Sequence, residues 1–329
     1  MAALPPLDDL TVPRSTASAR AVLSASLRRL AGDLAAVAPA LPPALRARLR
    51  ELRRDDPGRV LSALRRATVG VLLRTSRGGS VSPALAGVLA RELGAPLDTP
   101  LAASAPCLSA REPAGSYHPI ARELVLATVD VNPLAMLEAH PDKEGNAIDL
   151  GGVAPARWCE ALRAALDVIE AHLPIVREEI DLVVQQIVPV GYDAERHLSA
   201  SYAEAVGTVY LTLHPSPMTM VEALVHEHQH NKLNALLDVD PILENHPSER
   251  YASPVRPDPR PLFGVLLAVH AFLPVEALYE RALDAGEAHL EARYRAIVAK
   301  NREGAAVLLA HARPTAMGRA LLDEIARLS

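Results

Sequence analysis

The stretch Val221-Glu-Ala-Leu-Val-His226-Glu227-His228-Gln229-His230-Asn-Lys-Leu-Asn-Ala-Leu-Leu237 decides how this chain is read. Leu224, Val225, Leu233, Leu236 and Leu237 recur at helical spacing with no Gly or Pro between them, which predicts one uninterrupted helix. Gly207–Leu213 just upstream is rich in β-branched residues and reads as a strand. His214-Pro-Ser-Pro217 reads as the turn between them, so the helix starts near Thr219. Inside it lies His-Glu-x-x-His. Residues four apart on a helix face the same way, about 5–6 Å apart at Cβ, so His226 and His230 can reach one metal ion at roughly 2.1 Å. Glu227 projects beside them, toward a metal-bound water. His228 is about 200° around the helix and is expected to be a surface or packing residue. Random placement in this composition predicts roughly 0.03 occurrences of the pattern, so it carries weight.

Working outward, Glu123–Val131 and Ile180–Val190 read as strands, and Pro155–His172 as a helix with Trp158, Leu162, Ala165 and Ile169 along one side. From Ser15 to about Gly94 the pattern is helical throughout. Its dense arginines (Arg46 to Arg66) are interleaved with Glu51, Asp55 and Asp56, the composition of a solvated helix surface. The expected fold is α+β and predominantly helical. An N-terminal helical region (1–110) precedes a metal-dependent catalytic domain (111–329), in which a small, mostly antiparallel sheet packs on the HExxH helix.

Composition narrows the function classes. Of 329 residues 3% are aromatic, and 34 basic residues stand against 39 acidic ones, so neither stacking platforms nor a polyanion-binding footprint is present. Lys occurs only at 143, 232 and 300; the other 31 bases are Arg. Two cysteines, Cys107 and Cys159, make no disulfide framework and are expected as free thiols in a reducing compartment. The N-terminus carries acids and no apolar run resembling a signal peptide. Val265–Val275, the longest apolar stretch, is too short to span a bilayer. The expectation is a cytoplasmic protein with no membrane or nucleic-acid partner.

HExxH alone points to a zinc metallopeptidase with Glu227 as general base. Such a site needs a third ligand, and the metzincin continuation is absent, because Asn234 and Leu237 stand where Gly and His would follow. Glu276 and Glu280 are carboxylate candidates. His270, set in the apolar run Leu266–Phe272, is the imidazole candidate and is preferred, with Glu276 as runner-up. Between the two helical segments lies Arg256-Pro-Asp258-Pro-Arg260-Pro. Its prolines enforce extended backbone and keep both arginines out of a helix. Either the arginines pair with Asp258 in a rigid surface linker, or they offer a guanidinium that grips a carboxylate bidentately.

Taken together, Ile187-Val-Pro-Val-Gly, Ser199-Ala-Ser201, Glu222–Leu236 and Arg256–Pro261 resemble the 2-oxoglutarate-dependent HExxH-type peptide β-hydroxylases. The likeness covers roughly 90 residues, from about Ile187 to Ala277, and fades toward the N-terminal third. The resemblance implies an Fe(II) dioxygenase that hydroxylates a side-chain β-carbon in a ribosomally made precursor peptide. Iron would take His226, His230 and a third ligand, here His270. Arg260, or Arg256, would hold the far carboxylate of 2-oxoglutarate, and Ser199 and Ser201 would hydrogen-bond cosubstrate or peptide. Glu227 would then sit at or beside the metal rather than serve as a peptidase base, and the N-terminal region would be free to bind the precursor. Zinc is the metal if the peptidase reading holds. A third class is a peptide-binding scaffold whose metal is structural.

Overall fold

A computed structural model describes residues 7, 9–76, 81–95, 115–132, 134–137, 139–140 and 143–329. Cys107 and the expected domain boundary near residue 110 lie outside the described residues. In chain order the elements are α1 (Ala17–Val37), α2 (Pro43–Asp55), α3 (Pro57–Arg65), α4 (Ala67–Thr75), α5 (Pro83–Leu93), β1 (Tyr117–Ala121), β2 (Leu124–Ala127), β3 (Ala139–His140) and β4 (Lys143–Glu144). There follow α6 (Pro155–His172), α7 (Pro174–Val183), β5 (Gln186–Tyr192), β6 (Ser199–Ala200), β7 (Thr208–Leu213) and α8 (Pro217–Leu237). The last are β8 (Tyr251–Ser253), β9 (Arg256–Arg260), α9 (Leu262–Asp284), α10 (Glu291–His311) and α11 (Ala316–Leu328). The protein is predominantly helical and α+β, as the periodicity predicts.

Two compact units interleave along the chain. One comprises Met1–Ala25, Glu160–Val183 and His214–Ser329; the other, Ser26–Cys159 and Val184–Leu213. No single cut in the sequence separates them.

In the second unit, helix starts are written locally. Asp56 accepts a hydrogen bond from the Arg59 N–H and Ser82 from the Leu85 N–H, each followed by a proline in the first helical turn. Leu45, Leu49 and Leu52 of α2 share one face and join Leu85, Leu89 and Leu93 of α5 in a buried core. Each such leucine contributes about 2 kcal/mol of burial. The sheet has the order β1-β2-β5-β7-β6. Its outer pairings are antiparallel, but β2–β5 and β5–β7 are parallel. The sheet is therefore mixed rather than mostly antiparallel. The β2–β5 connection contains α6 and α7, and parallel neighbours need crossovers of that length. The strand expected over Ile180–Val190 also begins later than the composition indicates. Ile180 to Val183 end α7, with Val176, Ile180 and Val183 buried at helical spacing, and β5 starts at Gln186. A short β-branched run does not by itself distinguish the two periods.

The first unit is built on α8 against α9, α9 against α10, and α7 against α8. Ser216 caps α8 by accepting from the Thr219 N–H, and Pro217 opens the first turn. Helix α9 is 23 residues long, and its most apolar 18-residue window has a mean hydropathy of 1.8, enough by length and composition to cross a membrane. The sequence expectation considered only Val265–Val275, mostly in its N-terminal half. Within this unit 67% of its most apolar window is buried, so packing from two sides accounts for the composition. Close approach of α10 depends on Gly304: a Cβ there would lie 2.5 Å from Val269 Cγ2 and 3.2 Å from Pro254 Cγ. Pro274 inside α9 supplies no N–H to the carbonyl one turn back, that of His270.

Candidate metal centre

The two motif histidines converge. Nε2 of His226 and Nε2 of His230 are 2.8 Å apart, with ring planes nearly perpendicular. With metal–nitrogen bonds of roughly 2.1 Å, that spacing suits two adjacent corners of one coordination shell. In the metal-free protein it also accommodates an N–H···N hydrogen bond. Phe272 of α9 packs on the His226 ring, centroid to centroid 4.5 Å, and fixes its orientation. Burial holds the His230 pKa below its ordinary value, partly countered by the Glu227 carboxylate. The neutral imidazole that metal binding requires is thus the favoured form. Glu227 is buried and contributes the third donor of the group: one atom each from His226, Glu227 and His230 lies within 4.8 Å of the others.

The structure does not bring His270 into that group. It is fully buried, and neither ring nitrogen has a hydrogen-bond partner among the described residues. Its pKa lies well below the ordinary histidine value, through burial first and then the positive charge of Lys232. Glu276 is also outside the group. It accepts a 2.7 Å hydrogen bond from Asn301 Nδ2 on α10, and burial raises its pKa. Glu280 is exposed.

The Arg-Pro-Asp-Pro-Arg segment is extended, as its prolines require, and forms β9 against β8 with Tyr251 opposite Arg260 and Ser253 opposite Arg256. Arg260 Nε contacts Asp258 Oδ2 at 2.9 Å with both side chains partly exposed. The Arg256 side chain lies outside the described residues. Ser199 and Ser201 belong to the other unit: Ser199 pairs with Leu211 in β6, and both are half-buried.

His228 is wholly buried, against the expectation of a surface position but within that of a packing residue. Its Nε2 lies 3.2 Å from Glu179 Oε2, which also takes a 2.6 Å hydrogen bond from Lys232 Nζ. Burial alone would raise the Glu179 pKa; Lys232 and His228 beside it bring it below the ordinary value. Burial lowers that of His228. The i, i+4 spacing of His228 and Lys232 is visible in the sequence, but nothing local marks Glu179, 49 residues upstream, as their partner. A turn ahead of the motif, Glu222 is held by Arg293 of α10 through both oxygens and by the Tyr279 hydroxyl at 3.0 Å. On the same unit the buried Glu324 carboxylate accepts from the backbone N–H groups of Leu10, Thr11 and Val12.

No protein-family model matches the chain, and no curated protein matches its sequence.

Proposed function

We propose that the protein is an Fe(II)- and 2-oxoglutarate-dependent hydroxylase that acts on a side-chain β-carbon of a ribosomally made precursor peptide. The observation that carries the metal part is the convergence of His226 Nε2 and His230 Nε2 at 2.8 Å, with a carboxylate in the same group. The oxygenase part rests on the likeness of the motif helix and the Arg256–Pro261 segment to that family. His226 and His230 would hold the ion, and Glu227 offers a further donor within 4.8 Å of both. Open positions beside two histidines and a carboxylate suit O₂ chemistry at iron(II). Bound there, the metal and 2-oxoglutarate supply oxygen activation: one oxygen atom enters the C–H bond as hydroxyl, the other enters succinate, and CO₂ leaves. Phe272 restrains the His226 ring and shields one side of it from water. Arg260 would grip the far carboxylate of the cosubstrate, exchanging its contact with Asp258 for that one. Anaerobic loading with Fe(II), followed by 2-oxoglutarate, O₂ and a candidate precursor peptide, should give a product heavier by one oxygen and one succinate per product.

A second reading has its own support. Glu227 is buried within 4.8 Å of both histidine donors, where a peptidase would need a general base on zinc-bound water. Cleavage of the peptide by zinc-loaded protein, abolished by Glu227→Gln, would select that reading.

A further inference from the structure

We infer that Glu179, Lys232 and His228 are positioning residues for the metal pair, fixing the rotation of α8 so that the His226 ring stays seated on Phe272 of α9, the contact that aims its Nε2 at the shared site. The inference rests on the metal-centre reading above. All three side chains are completely buried, and a single carboxylate oxygen of Glu179 takes both contacts, at 2.6 Å from Lys232 and 3.2 Å from His228. Lys232 and His228 are four residues apart, on the face of α8 opposite the metal pair, so one atom of α7 ties down two successive turns.

Stability does not explain this arrangement, because a buried ion pair is often replaced by apolar side chains of similar volume at no loss. Geometry does. Apolar contacts tolerate a helix rolling on its neighbour, whereas a shared carboxylate oxygen does not. Side-chain tips stand roughly 5–6 Å from a helix axis, so a 20° roll of α8 would slide the His226 ring by roughly 2 Å across Phe272. Lys232 is one of three lysines in a chain that otherwise uses arginine. The planar five-donor arginine fork is bulkier than the ammonium that bonds one oxygen here.

The test uses the full chain and Co(II) as the probe. Glu179→Leu/Lys232→Met removes the ion pair without leaving a buried charge, and Glu179→Gln keeps the shape while removing the anion. The expected result is a double variant that unfolds with an unchanged denaturant midpoint yet binds Co(II) at least tenfold more weakly, with an altered visible ligand-field spectrum. Glu179→Gln should show the same spectral change wherever it folds. A folded double variant with wild-type Co(II) affinity and spectrum overturns the inference and leaves the metal-centre reading intact. Wild-type protein that binds no Co(II), like His226→Ala, overturns both.

Discussion

The two faces of α8 carry the same device to different ends. On one, His226 and His230 stand four residues apart; on the other, His228 and Lys232 do. The second pair shares a carboxylate oxygen of Glu179, fully buried, so its charge is compensated inside the protein. The first pair is half-buried, faces itself at 2.8 Å, and His230 Nδ1 has no hydrogen-bond partner among the described residues. Spacing alone does not distinguish a ligand pair from a structural one. What the neighbouring helix brings decides it: a carboxylate from α7 on one side, the ring of Phe272 from α9 on the other.

The largest effect should come from the ligand face. His226→Ala or His230→Ala is expected to reduce bound metal from about one equivalent to none, read by elemental analysis after anaerobic loading and desalting. On the reverse face a single change, Lys232→Met, strands the Glu179 carboxylate and should cost about 3–5 kcal/mol in urea unfolding, whereas the paired apolar replacement should cost little. Equal losses for the single and paired variants would remove the distinction between the faces.

Smaller effects sharpen the comparison. Arg260→Lys keeps the charge but loses the bidentate grip, and a tenfold rise in the apparent KM for 2-oxoglutarate, about 1.4 kcal/mol, is expected. An unchanged KM would mean that Arg260 serves only Asp258. The smallest effect is in pH. His228, His230 and His270 all have folded pKa values below the ordinary one, with burial the leading cause. The unfolded chain therefore binds protons first as pH falls. Stability of the metal-free protein should be fully present above about pH 6.5 and decline below it. Glu179, also depressed, adds a further decline below the ordinary carboxylate range, about pH 4.3. Denaturant midpoints at pH 7.5, 6.5 and 5.5 measure the histidine part; a midpoint that rises on acidification contradicts it.

The helical character and the motif helix were legible because both are local. Periodicity gave α6 at its observed bounds, and α8 starts at Pro217, two residues before the expected Thr219, because Ser216 caps it where a turn was expected. The sheet's parallel pairings were not, since strand partners are chosen by crossovers that no window of residues contains. Nor was the division into units, whose segments alternate along the chain. At the site, the i, i+4 rule brought His226 and His230 together and could not rank His270. That residue lies on α9, outside the group of donors on α8, and its place was set by helix packing that no local spacing reports. Glu179 was invisible for the same reason: a buried glutamate in an amphipathic helix reads as a surface residue until its partner helix is known.

The most direct test of the central claim is one anaerobic reaction. Protein loaded with a single equivalent of Fe(II) is given 2-oxoglutarate, a candidate precursor peptide, and then O₂; peptide mass and succinate are measured together. The account predicts an intact peptide heavier by one oxygen, succinate in equal amount, and neither with His226→Ala. An unmodified peptide from the iron-loaded protein, alongside cleavage by the zinc-loaded protein, would contradict it.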